Sequence, residues 1–65
     1  MSQWQALHFA AMLLNGAIVL FAAVAIDRAN RNGGWYHGST SGWRIVAAFN
    51  AVAFGFNGLT VAVLP

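Results

Sequence analysis

The chain has 65 residues, 60% of them hydrophobic and 6% charged, with three arginines, one aspartate and no cysteine. Soluble domains of this size are marginal in core, lean on disulfides or metals and carry about 25% charged residues, so an ordinary soluble fold, a disulfide scaffold and cysteine-held zinc or iron-sulfur sites are excluded. The net charge of +2 is too small for a nucleic-acid footprint, which needs many phosphate contacts.

Two apolar stretches, Phe9 to Ile26 and Ile45 to Leu64, are separated by a polar, glycine-rich segment. Each stretch is roughly 18 to 20 residues, and at about 1.5 Å rise per residue that matches a hydrocarbon core of about 30 Å. The pattern predicts an all-α fold: a single integral membrane domain, residues 1–65, built as a two-helix transmembrane hairpin with a short polar loop. The expected bounds are helix 1 at about 3–30, the loop at about 31–41 and helix 2 at about 42–64.

At the start of helix 1, Trp4 stands where an aromatic belt residue anchors the interface. The seven residues before the apolar run carry no Lys or Arg, and the run exceeds the usual 7 to 15 residues of a signal peptide, so it reads as a retained span. On a helical wheel His8, Ala11, Met12, Asn15, Val19, Ala22 and Ile26 share one side, which should meet protein. Phe9, Leu13, Leu14, Leu20, Phe21 and Val24 share the other, which should meet lipid. Asp27, Arg28 and Arg31 project beyond the core, and Asn32-Gly33-Gly34 is expected to stop the helix.

Trp35, Tyr36 and Trp43 form an inner aromatic belt, while Ser39, Thr40 and Ser41 offer capping oxygens for helix 2. Arg28, Arg31 and Arg44 all flank the loop, and the positive-inside bias therefore places the loop in the cytoplasm and both termini on the opposite side. The expected location is a bacterial inner or intracytoplasmic membrane. In helix 2, Ala47, Ala51, Gly55, Gly58 and Ala62 form a small-residue ridge with Asn50 and Asn57 beside it, a packing face for close helix contact. Ile45, Phe49, Val52, Phe56, Leu59 and Val63 lie opposite. Each apolar core holds about nine or ten Leu, Ile, Phe or Val residues, which supplies about −3 to −6 kcal/mol of insertion energy per helix.

Chemistry has little foothold. The hydroxyls of Ser39, Thr40 and Ser41 lack a convincing base, Asp27 has no second acid, and the Gly33-Gly34 pair lacks the strand-to-helix setting of a nucleotide loop, so a non-enzyme is expected. With no carboxylate inside either span, the rotor ring subunit of ATP synthases is excluded. His8 and His37 should lie on opposite sides of the membrane and cannot share a metal. No cofactor of its own is expected; His8 reads first as an interfacial histidine bonded to a neighbouring subunit or headgroup and second as the candidate contact with a pigment, and contacts with quinone or lipid held by partner subunits fit the same picture. Asn15, Asn50 and Asn57 read mainly as interhelical glue.

These features point to a small accessory subunit of a larger photosynthetic or respiratory membrane complex, with larger membrane protein subunits and lipids as partners and no nucleic acid. The alternatives are a self-assembling homo-oligomer, either holin-like or similar in architecture and length to the two-helix subunits of conjugative pili, and a regulator of one transporter or enzyme.

Overall fold

The computed structural model describes residues 1–32 and 40–63. It is all-helical, with α1 spanning Gln3–Asn32 and α2 spanning Ser41–Val63. α1 runs two residues past the expected 30. Trp35, Tyr36, His37 and Ser39, with the expected end of α2 at Leu64, lie outside the described residues.

Local chemistry accounts for the helix starts. Ser2 and Gln5 form a capping box: the Gln5 backbone N–H donates to Ser2 Oγ at 3.1 Å, and the Ser2 N–H donates back to Gln5 Oε1 at 2.8 Å. Two backbone donors that the first turn would leave orphaned are thereby satisfied. At the other helix, Thr40 O accepts the Arg44 N–H at 3.0 Å while Thr40 Oγ1 accepts Arg44 Nε at 2.9 Å, so the cap residue also ties down an arginine.

The two helices lie side by side and antiparallel, since Gln5 near the start of α1 reaches Val61 near the end of α2, and Phe21 meets Trp43 at the other end. The rod measures 47 × 14 × 12 Å. Its seam follows a heptad: His8, Asn15, Ala22 and Ala29 on α1 are all half-buried or buried, as are Trp43, Asn50 and Asn57 on α2. Small residues let the backbones approach. A Cβ on Gly16 would stand 3.2 Å from the Phe54 ring, and one on Gly58 would stand 3.3 Å from Met12 Sδ.

Burial is confined to that seam. Ala22 and Ala25 are the fully buried apolar residues among those described, whereas Leu14, Leu20, Phe49, Val52, Phe56 and Leu59 are each more than 60% exposed. A rod with an alanine seam and an apolar exterior has no core to hold it folded in water. Both helices are long and apolar enough to cross a membrane, and 23 residues of α2 extend about 34 Å, more than the hydrocarbon thickness.

Candidate functional site

The seam contains a continuous ladder of polar side chains. His8 Nδ1 lies 2.7 Å from Asn57 Oδ1, Asn57 Nδ2 donates to Asn15 Oδ1 at 3.0 Å, and Asn15 Nδ2 donates to Asn50 Oδ1 at 2.9 Å. Asn50 Nδ2 ends the ladder by donating to Val46 O at 2.8 Å, and Asn57 Nδ2 also donates to Ala53 O at 3.0 Å. Near the termini Gln5 adds one more crossing bond, from Nε2 to Val61 O at 3.2 Å.

The spacing explains why these residues meet. Asn50 and Asn57 are one heptad apart on α2, and His8 and Asn15 are one heptad apart on α1, so an antiparallel pairing interleaves them in the order His8, Asn57, Asn15, Asn50. An unpaired amide away from water is costly, so the ladder allows few other registers. Every amide in it donates toward Val46, and the direction fixes the proton on His8: because Asn57 Oδ1 is an acceptor only, the bond requires Nδ1–H on the imidazole. In the neutral ring Nε2 therefore carries a lone pair.

The expected packing residues divide into two groups. Ala11, Asn15, Ala22, Ala47, Asn50, Asn57 and Gly58 are half-buried or buried. Ala51 and Gly55 are exposed, as is Ala62, and a Cβ on Gly55 would meet nothing within 4 Å. The small-residue ridge of α2 thus splits, with the asparagines turned toward α1, Ala51 at the flank where the two helices meet and Gly55 turned away. Ala51 instead lines an open apolar groove of about 540 Å³ with Leu13, Gly16, Leu20 and Phe54.

Among the expected interface anchors, Trp4, Arg28, Arg31 and Arg44 are exposed. Arg31 Nε bonds Asp27 Oδ1 at 3.0 Å, and both side chains are more than half exposed, so the pair contributes at most a few tenths of a kcal/mol (about 0.3–0.5). Trp43, also expected as an anchor, is placed differently. It is half-buried, and its ring centroid lies 5.5 Å from that of Phe21 at a 50° tilt, closing the seam at the end opposite the ladder's histidine.

Sequence reasoning missed the partnership of Gln5 and the register of the ladder. Gln5 was legible as the fourth residue of a Ser-x-x-Gln box; its second bond, to Val61 O, depends on how the helices are placed and has no local signal. Among the described residues there is no group of three or more His, Cys, Asp or Glu that could hold a metal ion. No family model, curated protein or solved structure matches the chain.

Proposed function

We propose that this chain is a membrane-spanning hairpin that serves as a small, non-catalytic subunit packed against larger membrane protein subunits. Its arginine-bearing end faces the cytoplasm and its termini face the opposite side. The observation that carries the reading is the exposed small face of α2 at Ala51, Gly55 and Ala62, with open space at Gly55. Lipid tails fill against bulky side chains as readily as against small ones, whereas a close helix–helix contact specifically requires small residues. The asparagines are engaged within the hairpin, so the partner would be met by shape at that face rather than by amide hydrogen bonds.

A bioenergetic complex, photosynthetic or respiratory, is the setting we favour, because such assemblies combine many closely packed helices with lipid, pigment and quinone at their margins. Purification of the tagged chain in mild detergent tests the reading. A stoichiometric larger membrane subunit should co-purify and should be lost from Gly55→Leu while the hairpin itself stays paired. Migration of the chain alone would defeat it. The same face favours a second reading, a homo-oligomer, which would show as rings or filaments of this chain without any other subunit.

A further inference from the structure

We propose that His8 is an axial ligand for the metal of a tetrapyrrole, a haem or chlorin, bound at the flank of the hairpin near its termini. The inference concerns the hairpin's own chemistry and stands independently of the partner it packs against. It begins with the tautomer. His8 donates Nδ1–H to Asn57 Oδ1 at 2.7 Å, and the Asn57 amide is held in that orientation because both of its protons are already committed, to Asn15 Oδ1 and to Ala53 O at 3.0 Å each. The opposite ring nitrogen, Nε2, makes no hydrogen bond among the described residues. An imidazole held by Nδ1–H to an oxygen acceptor, with Nε2 left free, is the arrangement that metal-ligating histidines adopt: the outer bond fixes ring orientation and raises the basicity of the ligating nitrogen.

The surroundings select the kind of metal. A bare ion needs three or four protein ligands, and no such group exists among the described residues. A tetrapyrrole brings four in-plane nitrogens of its own and asks the protein for one or two axial ligands. A quinone does not fit, because its carbonyls are acceptors and Nε2 in this tautomer is an acceptor as well. His8 is half-buried, so part of it lies outside the seam. Its helical neighbours one turn to either side are Trp4, 66% exposed, with Gln5, which bonds Val61 O, and Ala11 with Met12, whose Sδ is turned toward Gly58. His8 is five residues into α1, about 8 Å along the axis, which would put a ring plane at the margin of the hydrocarbon with its carboxylates within reach of the headgroups.

The test uses the full-length chain in mild detergent, titrated with haemin. The expected result is a saturable Soret shift at one haem per hairpin that is lost in His8→Ala, restored to that variant by added imidazole, and unchanged in His37→Ala. Asn57→Leu, which removes the acceptor for Nδ1–H, should weaken binding about 10-fold without abolishing it. Because His8→Ala also breaks a rung of the ladder, a second measurement uses His37→Ala protein labelled with 15N-histidine. There the sole imidazole is His8, and a 15N hyperfine coupling or an isotope shift of the iron–histidine stretch reports ligation directly. Haem that shows only the spectrum of detergent-dissolved haemin, equal binding by His8→Ala, or absence of the 15N signature each overturns the proposal.

Discussion

Replacing Asn15 by alanine strikes the hairpin at the centre of its ladder. Asn15 makes two bonds across the seam, to Asn57 and to Asn50, and interhelical side-chain bonds in membranes average about 0.6 kcal/mol with a maximum of about 1.7. Loss of both, with the orphaned Asn50 Oδ1 and Asn57 N–H left behind, gives an expected cost of about 2 kcal/mol, or roughly 30-fold in the ratio of paired to separated helices. Asn50→Ala removes one crossing bond and its own bond to Val46 O, so about 1 kcal/mol is expected.

The informative quantity is the pair taken together. Each single substitution counts the bond between Asn15 and Asn50 once, and the double substitution also removes the orphan that either single one creates. The double variant should therefore cost less than the sum by about 0.6 to 1.7 kcal/mol. Dyes on Met1→Cys and Val63→Cys, at ends that the antiparallel pairing brings together, would report separation by energy transfer as dodecyl sulfate is titrated into mild micelles. A coupling below about 0.3 kcal/mol, the ordinary error of additivity, would refute the ladder as drawn.

Three further outcomes follow from the geometry. Gly58→Leu should loosen the hairpin, because even a Cβ there stands 3.3 Å from Met12 Sδ, whereas Gly55→Leu should leave the same energy-transfer signal intact because nothing lies within 4 Å. The tilted pair of Phe21 and Trp43 should show a coupling of about 0.5 to 1.5 kcal/mol in a double-substitution cycle with leucine, read by the same titration. Moving the positive charge by Arg28→Gln, Arg31→Gln and Arg44→Gln with two lysines added beside Met1 should invert the hairpin, measured by protease protection of tags at the termini in oriented vesicles.

The two-helix architecture was readable because length and apolarity alone separate a membrane-length helix from other elements. The contact face of α1 was readable for a related reason: a straight helix drifts only about 20° per heptad, so a wheel and a heptad pick nearly the same residues over His8, Asn15 and Ala22. The face of α2 was harder. Small residues occur on two sides of it, and smallness says where backbones can approach without saying which side does. The asparagines decide the question, since Asn50 and Asn57 must find donors and acceptors and α1 presents His8 and Asn15 at the matching spacing. Gly55 then falls outside the seam because it stands on the side of α2 away from those amides.

That division of labour has a consequence for how the hairpin recognises anything else. Asn15, Asn50 and Asn57 bond to one another and to the backbone, and Thr60 Oγ1 donates to Phe56 O within its own helix at 2.8 Å, so much of their hydrogen-bonding capacity is spent inside the hairpin. Hydrogen bonds within the seam choose the register of the two helices, and since each adds only about 0.6 kcal/mol they specify more than they stabilise. The apolar exterior is left to steric fit: bulky Phe49, Val52, Phe56 and Leu59, all exposed, stand on the same helix as a strip opened by Ala51 and Gly55. A partner helix that exploits this strip gains contact only if it brings its backbone close. Enlarging Gly55 should therefore abolish association while leaving the hairpin folded, and enlarging the seam glycine Gly58 should disturb the hairpin first and association as a result.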